Sequence, residues 1–303
     1  AAAQLAFRWK TAAPAGTEQS IVSDHQPVVV GTRVIDVDQI GRLAAYDTTG
    51  TTANRAPVWT RPALGTAYYP DGGYESSGVL YLFDSERNLD AVRLSDGVRL
   101  WHVAGIGPTQ YLRNEIVVVG SRILYLDANY DLVARNVADG SASWSGAAVT
   151  LDGNELSGAV QLATDGTRAF VLANCECKAV TASTGAVAWT VPVKAGGPAN
   201  GGAAARHLAM VADGAVFAST YDGSIAIEAA TGVVRWRTGT RGGFAGGGGA
   251  IAGGAWILDA GDYQEPKLTA LDLATGEVLW STKDAGSSEG FAIAGDLIVG
   301  RGT

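Results

Sequence analysis

The stretch ALDLATGEVLW, Ala270 to Trp280, decides the fold. It reads as a strand, a tight turn and a second strand that ends on a large aromatic. Asp272 and Thr275 are residues whose short polar side chains hydrogen-bond their own backbone in turns. Gly276 supplies the positive φ that a hairpin between two strands needs. Weaker copies recur along the chain: AVRLSDGVRLW ends at Trp101, ARNVADGSASW at Trp144, AVTASTGAVAW at Trp189 and AIEAATGVVRW at Trp236. AYDTTG, followed by a longer insert, leads to Trp59, and LAFRW at Trp9 is the tail of one more copy. The tryptophans at 9, 59, 101, 144, 189, 236 and 280 stand 42 to 50 residues apart, and Trp256 lies outside the series.

Each period holds four strand-like runs. In the first these are PVVVG, RVIDVD, RLAAYD and APVWT, rich in Val, Ile, Leu and Tyr and separated by Gly, Asp, Asn and Thr. Four-stranded units repeated at this spacing predict a β-propeller. The C-terminal FAIAGDLIVGRGT matches the first two strands of a unit and the N-terminal QLAFRW its last strand. The expectation is therefore an all-β, seven-bladed propeller, a single domain over residues 1–303, its ring closed by N- and C-terminal strands in one blade. The small Ala of each copy lets a neighbouring unit approach. The regular Trp is expected to wedge between units, with its N–H bonded locally.

The chain carries 47% hydrophobic residues, 41 glycines and a formal charge of −8. That composition suits a packed, turn-rich protein. With no block of Lys or Arg, a nucleic-acid backbone or an anionic membrane surface is not an expected partner. No apolar run reaches the roughly 18 residues of a membrane span. No charged segment followed by an apolar core opens the chain, so no leader is expected within it.

The motif A-x-D-x-x-T-G-x-x-x-W, best kept at Ala270, Asp272, Thr275, Gly276 and Trp280, resembles the tryptophan-docking repeat of the quinoprotein-like (PQQ-like) β-propellers. The resemblance covers nearly the whole chain and implies docking roles for Trp9, Trp59, Trp101, Trp144, Trp189, Trp236 and Trp280. The family includes dehydrogenases that use pyrroloquinoline quinone with calcium. It also includes non-catalytic members, among them an outer-membrane assembly lipoprotein and sensor-like propellers attached to bacterial kinases. The dehydrogenases place an adjacent Cys-Cys pair under the quinone. Here the nearest stretch is NCECK, where Glu176 separates Cys175 from Cys177, and no match for the calcium ligands is found. Cys175 and Cys177 are read as a pair on a tight turn that forms a local disulfide. No metal site and no catalytic residue is assigned, and no cofactor is expected; the alternative is pyrroloquinoline quinone with calcium.

Glycine-rich GGFAGGGGA at 242–250 lacks the Lys and Ser/Thr of a phosphate-binding loop and reads as a link into an inner strand. The Asp-containing hairpins, such as DSERN and DANYD, lack the full calcium-loop pattern and read as turns. His102, directly after Trp101, is given a structural or solvated role. In repeat register His25, Asp71, Asn114, His207 and Glu289 each fall near the start of an innermost strand, where one face of a propeller channel opens. Neighbouring loops add Tyr68, Tyr74, Arg206 and Arg241. Aromatic and charged groups converging at such a mouth form a candidate ligand site. The function expected is a non-enzymatic binding or scaffold propeller of a bacterial, extracytoplasmic kind, a monomer or part of a larger polypeptide. Its partner would be a protein, peptide or small ligand on the face bearing the loops at 60–78, 190–207 and 237–250. The runner-up is a quinone-dependent oxidoreductase.

Overall fold

A computed structural model of the chain describes residues 28–37, 42–49, 56–62, 74–84, 86–107, 116–144, 146, 148–150, 160–173, 176–193, 208–220, 223–240, 249–260, 267–283, 291–294 and 297–300. These residues form 26 strands, and no helix occurs among them. The backbone gathers into two compact units. The first is Ala1–Ile116 with Leu126–Ala128 and Val137–Ser141; the second is the remainder.

In the first unit, β1 (Val28–Val30), β2 (Arg33–Val37), β3 (Leu43–Asp47) and β4 (Trp59–Arg61) form one antiparallel sheet in chain order. β5 (Tyr74–Ser76), β6 (Val79–Phe83), β7 (Leu89–Arg93) and β8 (Arg99–Val103) form the next. Ile35, Leu43 and Ala45 from the first sheet pack against Leu80, Leu82, Val92 and Leu94 around Trp59. A third sheet, whose residues the two units share, holds β9 (Ile116–Val119), β10 (Arg122–Leu126), β11 (Asp131–Asn136) and β12 (Val149–Thr150).

The second unit repeats the plan. Its sheets are β13 (Gln161–Thr164) to β16 (Val187–Pro192) through β14 (Arg168–Ala173) and β15 (Glu176–Thr181); β17 (Leu208–Ala212) to β20 (Val234–Thr238) through β18 (Ala215–Thr220) and β19 (Gly223–Glu228); and β21 (Gly249–Ala252) to β24 (Val278–Lys283) through β22 (Ala255–Asp259) and β23 (Lys267–Asp272). β25 (Phe291–Ala294) pairs with β26 (Leu297–Gly300). Six four-stranded antiparallel sheets are thus present among the described residues, each meandering in chain order.

The strands read as continuous apolar runs because both faces of an inner sheet are covered. β18 shows the division of labour at period two. Val216 and Ala218 pack with Phe170, Leu172 and Val191 of the preceding sheet. Ala215 and Phe217 pack with Trp256, Leu258 and Leu271 of the following one.

The repeat motif has one structural meaning in five of the repeats. Its Ala pairs across the sheet with its Trp: Ala45 with Trp59, Ala91 with Trp101, Ala179 with Trp189, Ala226 with Trp236 and Ala270 with Trp280. In the last four the register shifts directly after the Ala, so one residue just before the Trp is left unpaired. Such a bulge re-aims the side chains beside it.

The indole N–H, expected to bond locally, reaches instead into the following repeat. Trp59 donates to the Leu94 carbonyl at 2.9 Å, Trp101 to Val137 at 2.9 Å, Trp144 to Ala182 at 3.1 Å, Trp189 to Ala229 at 3.1 Å and Trp236 to Leu273 at 3.0 Å. Each acceptor stands three residues before a turn glycine, as in Ala229–Gly232 and Leu273–Gly276. Gly232 and Gly276 have φ of +77° and +75°, and a Cβ on them would lie 2.8 Å from the Trp189 ring and 2.6 Å from that of Trp236. Both backbone sign and ring contact therefore demand glycine. Gly97, Gly140 and Gly185 occupy the equivalent place against Trp59, Trp101 and Trp144.

The third repeat departs from the expected plan. Its SASW segment makes only an isolated bridge, Arg135 to Ala142, and the fourth strand is β12, beyond Trp144. Ser and Gly around Trp144 pack poorly on a pleated surface.

Candidate functional site

Of the nine residues assigned to a ligand site from sequence, His25, Tyr68, Asp71, Asn114, Arg206, His207, Arg241 and Glu289 lie outside the described residues, as do Trp9 and Cys175. Tyr74 is half-buried on β5, where it pairs across the sheet with Tyr81. Tyr81 is fully buried, its ring 5.9 Å from that of Trp101. Burial, with Glu75 adding to it, pushes the Tyr81 phenol above its ordinary value. This pair belongs to the packing of the second sheet.

Cys177 differs from its expected place. It lies within β15, opposite Leu172, rather than on a turn, and is a free, buried cysteine; the other half of the expected bridge, Cys175, lies outside the described residues. Its side chain is wholly enclosed among Leu172, Val191 and Ile225. Burial pushes its pKa up to about 12. An inward position in a two-faced sheet explains both features, since a sulfur held in the core behaves as a small hydrophobe. Enclosed in this way, it offers no thiol to a quinone. Among the described residues no group of three or more His, Cys, Asp or Glu side chains is placed to hold a metal ion.

The most concentrated polar chemistry is a cluster in the first unit that repeat reasoning did not single out. Asp90, on β7, has no exposed surface. Its Oδ1 accepts from Arg99 Nη1 at 3.2 Å and lies 3.2 Å from His102 Nδ1, both residues being on the neighbouring strand β8. Its Oδ2 has no hydrogen-bond partner. Arg61, on β4, contributes to the same field: Nη1 donates to the Gly97 carbonyl at 3.0 Å, while its buried Nε is unpartnered. Burial raises the Asp90 pKa despite the nearby Arg99 and His102, which pull it down. Burial, then the like charge of Arg99, lowers that of Arg61, with Asp90 acting against them. The carboxylate fixes one side of the His102 ring, as in a general base held by an acid. Among the described residues no hydroxyl or thiol hydrogen-bonds the other ring nitrogen. The available signal was an Asp interrupting NLDAVR and a His two places from Leu100 on the adjoining strand.

In the second unit an open groove of about 450 Å³ runs beside the β17–β18 turn, lined by Asp165, Arg168, Asp213, Gly214 and Ala229 among others. Arg168 is already tied to Asp165 at 3.0 Å. The acidic turns are likewise satisfied internally. Asp84 Oδ1 accepts from the backbone of Glu86 and Asn88, and its Oδ2 from the Asn88 side chain, which is turn chemistry.

Residues 173–302 match the family model described as outer membrane protein assembly factor BamB. The matched segment resembles the PQQ-like β-propeller repeats. The same fold recurs in solved structures at low identity. BamB from Moraxella catarrhalis is similar at 17% identity over 87% of this chain and 77% of that one, with a TM-score of 0.66. A europium-containing methanol dehydrogenase is similar at 12% identity over 88% and 72%, with a TM-score of 0.61. The C-terminal WD40 domain of Sif2 is similar at 11% identity over 83% and 68%, with a TM-score of 0.60. No curated protein sequence matches the chain. These likenesses support a β-propeller fold for the chain. They span a protein named for assembly and one named for methanol oxidation, so the fold does not choose between binding and catalysis.

Proposed function

We propose that this PQQ-like propeller is a non-enzymatic binding or scaffold protein acting outside the cytoplasm. Its partner is a protein, peptide or small ligand held on the face that carries the loops at 60–78, 190–207 and 237–250. The match of residues 173–302 to a family named for an assembly factor carries the reading. The enclosure of Cys177 supports it, because that thiol is spent on packing. His25, Asp71, Asn114, Arg206, His207, Arg241 and Glu289, with Tyr68 and Tyr74, remain the residues proposed to meet the ligand.

The proposal includes seven blades, with the strand around Trp9 in the same sheet as β25 and β26. In each of the five tied repeats a Trp donates to the carbonyl three residues before a glycine. In the first repeat the turn before Gly50 is one residue shorter, Thr48 takes the acceptor's place (its N–H donates to the Thr32 carbonyl as that of Leu94 does to Gly78), and Trp9 is the tryptophan that precedes it in register. Trp9 is thus assigned to the Thr48 carbonyl.

A photo-crosslinking residue placed at position 206, compared with one at exposed Val58, tests the face: the same partner should be labelled from 206 and not from 58. Equal labelling from both positions would count against it. The alternative, a quinone-dependent oxidoreductase, is tested by titrating the protein with pyrroloquinoline quinone and calcium and following absorbance. Saturable binding with dye-linked dehydrogenase activity would replace the scaffold reading.

A further inference from the structure

Asp90 puts an ionisable group into a seam whose centre is apolar. Alternation along β7 turns it to the same face as Val92. Val92 packs with Leu80, Leu82 and Leu94 against Ile35, Leu43 and Ala45 of the first sheet. Across the second sheet Asp90 stands opposite Leu82 of β6. Among the described residues, the charged or titratable side chains that meet it are Arg99 and His102 from β8 and Arg61 from β4. β3 and β6 bring apolar ones. Both sheets belong to the first unit.

Two atoms of this seam are buried without a hydrogen-bond partner, Asp90 Oδ2 and Arg61 Nε. Solvent reaches neither while the sheets stay together. A buried polar atom without a partner costs free energy that hydration returns once the sheets part. The seam between the sheets β13–β16 and β17–β20 is built differently. There Ile225 stands before the paired Ala226, packed with Phe170, Leu172 and Val216, and among the described residues no polar atom is left in this state.

We propose that the seam between the first and second sheets is a pH-responsive joint, closed while Asp90 carries a proton and locally opened more often as the carboxyl ionises. Burial raises the Asp90 pKa in the closed seam, against the pull of Arg99 and His102. In the open seam water restores the ordinary value of 3.8. Opening therefore releases a proton. The opening constant grows by up to about tenfold per pH unit from 3.8 to the raised value and is level above it. The joint is independent of whether the long-loop face holds a partner.

The test is hydrogen exchange of the full 303-residue chain, read by mass spectrometry and corrected for the intrinsic pH dependence of amide exchange. Peptides covering residues 89–103 are compared with peptides covering 223–238. Between about pH 4 and pH 7, protection of 89–103 should fall by about tenfold or more relative to 223–238. Asp90→Asn should flatten that difference. Asp90→Ile, which installs the residue β19 carries there, gives the same readout if the Asn variant does not fold. His102→Asn removes the titrating ring, and the pH dependence should remain. Equal protection of the two segments at every pH overturns the proposal. So does a pH dependence that survives Asp90→Asn, or one that disappears with His102→Asn.

Discussion

Asp90 is a charge where most other repeats keep an uncharged side chain, Lys178 before Ala179 being the exception. The residue preceding the paired Ala is Ile225 before Ala226 and Thr269 before Ala270, whereas here it is an aspartate with no exposed surface. Because burial raises its pKa, the folded chain holds the Asp90 proton more tightly than the unfolded chain does. Stability from this group is therefore fully present below the ordinary aspartate value of 3.8 and is lost as pH rises from there through the raised value. Asp90→Asn should stabilise the protein at neutral pH by about 1 kcal/mol, the scale of a typical point substitution. The gain should shrink on acidification, and thermal melts of both proteins across pH check it. Asp272 behaves oppositely: hydrogen bonds from the Thr275 and Ala274 turn hold its pKa low, so its contribution fades as pH falls. Cys177 should resist a thiol reagent in the folded protein and react once the chain is unfolded; ready modification of native protein would contradict its enclosure. The sequence exposed Asp90 and His102 plainly, but their pairing depends on a register shift between β7 and β8 that no pattern of apolar residues announces.

At the scale of the element, strand positions were legible because Val, Ile and Leu runs bounded by Asp and Gly map directly onto pleated, two-faced sheets. In the first repeat β2 and β3 fall where RVIDVD and RLAAYD place them. What the pattern hid was the direction of the tryptophan tie. Spacing alone cannot tell a ring that serves its own sheet from one that serves the next. The strand after Trp144 was missed because Ser and Gly left no apolar alternation to follow. Gly232 and Gly120 separate the two demands made on a turn glycine. Both have positive φ, but a Cβ at Gly120 would meet nothing within 4 Å, whereas at Gly232 it would enter the Trp189 ring. Gly120→Ala should cost about 1 kcal/mol of backbone strain. Gly232→Ala should cost about 2–4 kcal/mol, since it also displaces a packed aromatic. Equal losses in denaturant melts would mean that the ring contact contributes nothing.

At the scale of the whole molecule, the period of the tryptophans gave the family of folds before any coordinate did, and the match over residues 173–302 agrees with it. The proposed ligand residues were less accessible, because their meeting depends on loops that carry no repeat. The closure of the ring can be tested without a partner. Deleting residues 1–10 removes Trp9, and if that strand completes the last sheet the melting temperature should drop by at least about 5 °C, given roughly 2–4 °C per kcal/mol for a large domain. An unchanged melting temperature would place Trp9 elsewhere.

Each tryptophan tie points one way along the chain, from a repeat to its successor. A repeat is thus a plug at one end and a socket at the other, and the seam it makes with a neighbour is head-to-tail. Units joined in that manner obey the arithmetic of heterologous assembly, where the same joint gives a closed circle or an open series according to the angle per step. A duplicated or deleted repeat leaves every remaining joint chemically intact. The number of repeats is therefore the easiest feature of this architecture for evolution to change, and the Trp-to-Gly phase within a repeat the hardest.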